Sequence, residues 1–268
     1  MKEIHIRALS GSLYASVIVG AIFLSPLVIC IVILVFSVLA LLEFQRLVQF
    51  KSVLPITILL LLTGYGYFGY TTKFNDGIIV HISIAINLYL LVLLFVSKKL
   101  KYNYPVKLFL SIGYVAFSSY FISRSAFEGT EYNPWPLALL YFSIWTNNSS
   151  AYIFGTTLGK HKLLPSISPK KSWEGFFGGM LATLLLNYFI KDHVSVFNND
   201  SQWIIFAFTI PVLATFGDFV QSYFKRIAKV KDSGSLIPGH GGFYDRMDSV
   251  LFTAPFVNLF LIFVHYVS

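Results

Sequence analysis

Runs of about twenty apolar residues recur through this chain and restrict it more than any other feature. Single runs cover 53–70, 77–97, 106–123, 134–154, 173–190, 202–222 and 249–267, and a longer one covers 12–42. A helix needs roughly 17–25 apolar residues to cross a bilayer, and backbone in lipid must satisfy its own hydrogen bonds. The expected fold class is therefore all-α, a polytopic integral membrane protein. Of the 268 residues, 12% are charged and 56% hydrophobic, against about 25% and 45–50% in soluble domains. A water-soluble globule is excluded. The single cysteine, Cys30, permits no internal disulfide and reads as a small buried hydrophobe.

Run 12–42 is long for one span and short for two. Its "FLSPLV" places Pro26 near the middle, as a kink or a turn. The distribution of positive charge chooses between them. If Pro26 marks a hairpin, the chain crosses nine times, and every one of the 20 Lys and Arg except Lys73, Arg124 and Lys191 falls on the amino-terminal side. With one span, most of them fall on the opposite side. The expectation is about nine transmembrane helices in the cell (inner) membrane, with the amino terminus cytoplasmic and the carboxyl terminus outside. Segment 12–24 is then short enough to tilt or to sit in thinner bilayer. The same bias accounts for the net charge of +8 without any nucleic acid. The first residues read as retained rather than cleaved. Residues 1–268 form a single membrane domain, with no internal repeat.

Two segments carry more polar chemistry than membrane loops need. In "LGKHKLLPSISPKKSWEGFFGG", 158–179, a basic loop runs into the start of a span. Ser172 is placed to cap that helix, with Glu174 in its first turn. Lys170 and Lys171 beside a helix amino terminus suit phosphate; a positive-inside anchor is the plainer alternative.

The second segment is "FGDFVQSYFKRIAKVKDSGSLIPGHGGFYDRMDS", 216–249. Asp218 interrupts an apolar run, where a carboxylate costs on the order of 2.5–3.5 kcal/mol on insertion scales. It must face a cavity, a cation or a partner. Asp218, Ser222, Lys225 and Arg226 fall on one helical face at i, i+4, i+7 and i+8. Asp245 and Asp248 stand one turn apart if the last helix begins there. Convergent carboxylates with a single Cys and few His suit a hard cation such as Mg²⁺. Lys225, Arg226, Lys231 and Arg246 suit phosphate oxygens, and Gly239, Gly241 and Gly242 offer unencumbered N–H donors. The plainer alternatives stay open: Asp245 pairing only with Arg246, His240 serving as a turn residue, and Trp203, Tyr223 and Phe243 acting as packing aromatics. The residues themselves point to metal-assisted chemistry on a nucleotide and a lipid phosphate.

Ser222, Lys225–Arg226, Lys231–Asp232, Pro238, His240–Gly241–Gly242, Asp245–Arg246 and Asp248 resemble the signature of the phosphatidate cytidylyltransferases (CDP-diacylglycerol synthases). "SPKKSWEGFFGG" resembles that family's second block and "AYIFGTTLGKHKL" the approach to it, so the matching blocks lie within 145–250. The resemblance implies transfer of the cytidylyl group of CTP to phosphatidate, with Mg²⁺ and a second cation as cofactors, and a homodimer in the bilayer. It implies Asp218, Asp245 and Asp248 at the metal, with Ser222, Lys225 and Arg226 in the catalytic group. Lys170, Lys171, Lys231, Asp232, His240, Gly241, Gly242 and Arg246 would hold substrate. Two positions depart from the pattern. Asn148 stands where the family usually has Asp, and Gln221 where it usually has Glu. Both amides keep shape and lose charge, so a diverged paralogue of weaker activity, or one acting on another lipid phosphate, stays open beside the synthase. An ion-coupled transporter is the reading from another class, and the clustering of ionisable residues at one face argues against it.

Overall fold

Ser25 and Pro26 divide the first apolar run into two helices, α1 (Lys2–Leu24) and α2 (Pro26–Leu47). The Ser25 side chain accepts the Val28 N–H at 3.2 Å, and Pro26 occupies the first helical turn, where its missing N–H costs nothing. The hairpin expected from charge is thus built by a capped turn. The computed structural model describes the backbone of residues 2–69, 76–96, 103–128, 131–239 and 241–267. Lys73, Lys98, Lys99 and Lys101, which entered the orientation argument, lie outside the described residues.

The chain continues through α3 (Leu54–Gly69), α4 (Gly77–Phe95), α5 (Tyr104–Leu110) and α6 (Phe117–Arg124), then α7 (Pro134–Thr157), α8 (Trp173–Ile190), α9 (Asp200–Ile227) and α10 (Tyr244–Val267). Two antiparallel ribbons join them, β1 (Phe127–Glu128) with β2 (Glu131–Tyr132) and β3 (Lys162–Leu164) with β4 (Ser168–Ser172). Among the described residues, the protein is all-α apart from these ribbons. Five helical stretches among the described residues are long and apolar enough to cross a membrane: Pro26–Leu47, Gly77–Phe95, Tyr104–Arg124, Asp200–Ile227 and Tyr244–Val264. Large apolar side chains such as Leu61, Phe68, Ile78 and Phe189 point outward, as they would toward lipid.

Two expectations change in detail. The first helix is not confined to 12–24: it begins at Lys2, because its more polar first turns stay helical and reach beyond the apolar stretch Ala8–Leu24. The run expected at 106–123 is interrupted by a π-helical turn, Ser111–Ala116, between α5 and α6. Within it Gly113 meets Ile86 of α4 so closely that a Cβ would overlap that side chain.

Tight helix contacts place the polar residues. Gly217 on α9 packs against α10, where a Cβ would come within 2.8 Å of the Asp248 carbonyl oxygen; small residues permit such approaches between membrane helices. Asp218 therefore lies beside the first turns of α10. Deeper in, Phe44, Tyr114, Phe224 and Tyr244 form one buried aromatic cluster, with Phe44 lying 5.0 Å from Phe224 and 5.5 Å from Tyr244 between ring centroids. Three of the four are sequence neighbours of Glu43, Lys225 and Asp245, so the packing of the cluster fixes where those charges emerge.

Candidate active site

A cavity of about 1080 Å³ opens between α1, α7, α8, α9 and the start of α10. Lys170, Lys171, Asp218, Lys225, Asp232, Asp245, Arg246 and Asp248 line it, so residues from 170 to 248 converge as the sequence suggests. Ser172 caps α8, accepting the Gly175 N–H at 3.2 Å. The Glu174 carboxylate accepts the N–H groups of Lys160 and His161 at 3.1 and 3.2 Å, which ties the turn before β3 to the helix that carries β4. This fixes the ribbon whose last residues are Pro169–Lys170–Lys171–Ser172.

Two ion pairs dominate the wall. Lys171 Nζ lies 2.5 Å from Asp218 Oδ2, and Ser222 Oγ donates to Asp218 Oδ1 at 3.3 Å. Lys225 Nζ lies 2.8 Å from Asp245 Oδ1, which also accepts from Gln221 Nε2 at 2.7 Å. Asp245 Oδ2 accepts the Ser233 N–H at 2.7 Å and the Gly242 N–H at 3.0 Å. Both oxygens of Asp245 are thus engaged, and its partner is Lys225 rather than the adjacent Arg246. Asp248 faces the cavity within electrostatic reach of Asp218.

The remaining expected residues sit differently. Arg226 turns out of the wall and donates to the Ile167 carbonyl at 3.4 Å, bracing the β3–β4 turn. Lys231 is exposed on the loop beyond α9. Gly241, at φ +81°, closes a turn in which Ile237 N–H donates to its carbonyl at 2.9 Å; the left-handed conformation suits glycine. His240 lies outside the described residues. Trp203 is buried against Phe197, Phe243 packs on Phe36, and Tyr223 leans edge-on to Phe224. These three are packing aromatics.

Residues not singled out in the sequence complete the site. Gly11, Ser12, Tyr14 and Ala15 of α1 form one wall, with Tyr141 and Trp145 of α7. Tyr14 OH donates to the Arg246 carbonyl at 3.3 Å and stacks on Phe36, holding α1 against α10. Glu43 of α2 is buried to 1% exposure and accepts the N–H groups of Phe243 and Tyr244 at 3.2 and 3.0 Å. Asn148, which the sequence did single out, joins them: its Nδ2 reaches Ser249 Oγ at 3.4 Å and it lines the cavity.

A cavity lined by carboxylates and lysines in alternating pairs can hold polyphosphate and a hard cation together. Comparison with known proteins points the same way. The chain is similar to a protein named phosphatidate cytidylyltransferase from Staphylococcus epidermidis, 41% identical over 156 residues, and to its namesake in Staphylococcus saprophyticus, 40% identical over 156. A namesake in Staphylococcus aureus is 39% identical over 160 residues. Each alignment covers 57% of this chain and 57% of the relative. The model of the cytidylyltransferase family matches residues 5–264, and the chain belongs to that family.

Proposed function

We propose that this chain transfers the cytidylyl group of CTP to phosphatidate, forming CDP-diacylglycerol and pyrophosphate at the cytoplasmic face of the membrane, which it crosses about nine times. The observation that carries the reading is the pairing of Lys171 with Asp218 and Lys225 with Asp245 around one cavity. Family membership and the names of the relatives supply the nucleotide and the lipid.

The phosphatidate monoester is anionic at neutral pH, so its oxygen attacks the α-phosphorus of CTP without a strong general base. The bond to the β-phosphate breaks, and pyrophosphate leaves. The obstacle is repulsion between two polyanions. Lys170, Lys171, Lys225 and Arg246 offset it by donating to phosphate oxygens, and their fixed placement orients the reacting groups. Asp232 would meet substrate at the cavity wall, with Lys231 and the Gly241–Gly242 turn on the loop beside it, while Arg226 would act through the β3–β4 turn that it braces.

Among the described residues, no three His, Cys, Asp or Glu side chains form a ready-made cation cage. Mg²⁺ is commonly held by one or two carboxylates, with substrate phosphates completing its shell. Asp218 and Asp248 would hold it, with Asp245 beside them. When bound, the ion neutralises charge on the transferring and departing phosphates.

The first test uses purified protein in detergent with labelled CTP, phosphatidate and Mg²⁺, scoring lipid-phase label and pyrophosphate. Equal amounts of both support the reading; neither product, beside an active control enzyme, overturns it. In proteoliposomes, uptake without CTP turnover would instead favour a carrier.

The amides at Asn148 and Gln221 favour one second reading, a relative that binds its cation weakly or prefers another lipid phosphate. Gln221 contacts Asp245 directly, so Gln221→Glu would set two carboxylates around Lys225. The expected result is a fall of roughly tenfold in the half-saturating Mg²⁺ concentration, since ligand charge count tunes such sites. Adding Asn148→Asp should extend the shift. An unchanged Mg²⁺ titration in the double variant would remove this reading.

A further inference from the structure

Glu43, far in sequence from the site blocks, nevertheless reaches them. It sits on α2, some 190 residues before the loop it touches, and is 1% exposed. Its carboxylate accepts the first N–H groups of α10, from Phe243 and Tyr244, at 3.2 and 3.0 Å. These N–H groups have no partner within their own helix. Ser233 Oγ lies 2.7 Å from Glu43 Oε2 and 2.9 Å from Asp245 Oδ2. One hydroxyl proton serves only one of the two, and the Ser233 N–H already serves Asp245.

The loop is shaped around this side chain. At both Gly234 and Gly242, the three atoms nearest to an added Cβ all belong to Glu43, and the Cβ would overlap its carboxylate. Neither glycine has a positive φ, so what forbids a side chain there is Glu43 itself.

We propose that Glu43 is a positioning residue for the site: by capping α10 and clasping the loop at Ser233, it sets the orientation in which Asp245 meets Lys225. It touches no substrate. The effect on turnover rests on the cytidylyltransferase reading above, but the effect on loop order does not.

The test uses the full-length protein in detergent, with two readouts. One is hydrogen exchange at the amides of Ser233, Gly242, Phe243 and Tyr244 without CTP or divalent cation. The other is kcat and KM measured separately. Glu43→Gln keeps the size but leaves one carbonyl oxygen for two N–H donors and the Ser233 hydroxyl. It should accelerate exchange at these amides while leaving α7 and α8 protected. It should also lower kcat about 10–100-fold, the usual cost of losing an orienting partner, with KM for CTP nearly unchanged.

A cycle guards against a variant that merely unfolds. Gly234→Ala should damage the wild-type background and add nothing in a Glu43→Ala background, where the overlapping atoms are gone. Unchanged exchange and kcat in Glu43→Gln would overturn the proposal, as would a Gly234→Ala penalty equal in both backgrounds. If the wild-type protein makes no CDP-lipid, the function fails, while exchange and the cycle read on stability still decide the role of Glu43.

Discussion

Asp245→Asn should lower CTP turnover by two to three orders of magnitude, about the loss seen when one preorganised electrostatic group is removed from an active site. It should also destabilise the protein. The reason is the uniformity of its partners. Oδ1 accepts from Lys225 and Gln221, and Oδ2 accepts from the main-chain N–H groups of Ser233 and Gly242. Apart from the Ser233 hydroxyl, 2.9 Å from Oδ2, these neighbours are donors, so an asparagine NH₂ meets N–H donors in either rotamer. Lys225 is left with its side chain 13% exposed and without its anion, and breaking a buried pair on one side costs about 3–5 kcal/mol. Thermal unfolding in detergent and labelled-CTP turnover separate the two effects. Lys225→Met added to Asp245→Asn removes the stranded charge and should recover part of the lost stability, with no recovery of turnover. Wild-type turnover in Asp245→Asn would remove this residue from the site.

The membrane architecture is legible in the sequence because a bilayer imposes one length scale on every helix. The Ser25–Pro26 break and the Ser172 cap follow from local rules, each satisfied within a few residues, whereas Glu174 reaches back to Lys160 and His161. Asp218 announces itself as a carboxylate inside an apolar run. Of the helical face drawn through Asp218, Ser222, Lys225 and Arg226, Asp218 and Lys225 line the cavity and Ser222 bonds Asp218, while Arg226 does not join them. At 3.6 residues per turn, Lys225 lies about 20° around the helix from Asp218 and Arg226 about 80°. That angle sends Arg226 to the Ile167 carbonyl instead of the cavity.

Glu43 was not legible at all. In "LALLEFQRLV" it looks like an interfacial charge at the end of a span. Its importance depends on a contact with residues 233–244, which no local pattern encodes. The one available signal was indirect: "DSGSLIPGHGGF" is richer in glycine than its turns require, because Gly234 and Gly242 make room for a side chain from elsewhere. The engagement of Asp245 was hidden in the same way. Sequence shows a carboxylate, but not the donors that occupy it.

Asp218→Asn is expected to reduce kcat by about 10²–10³-fold, and the cause can be divided experimentally. The carboxylate does two things in the proposed site: it anchors Lys171 at 2.5 Å, and it offers oxygen to a cation beside Asp248. Asparagine keeps the size and can still accept from Ser222, so the helix should stay in place. If anchoring were its whole role, Lys171→Met and Asp218→Asn would cost the same, and the double variant would cost no more than either. If the cation matters as well, Asp218→Asn should be the worse of the two, and raising Mg²⁺ should recover part of its activity but none of that lost in Lys171→Met. The second pattern is expected. Lys171 also lies 5.0 Å from the centre of the Phe219 ring, a contact that persists without the anion and keeps the ammonium near its place. Loss of the ion pair alone therefore displaces Lys171 only partly, and most of the deficit in Asp218→Asn must come from the cation.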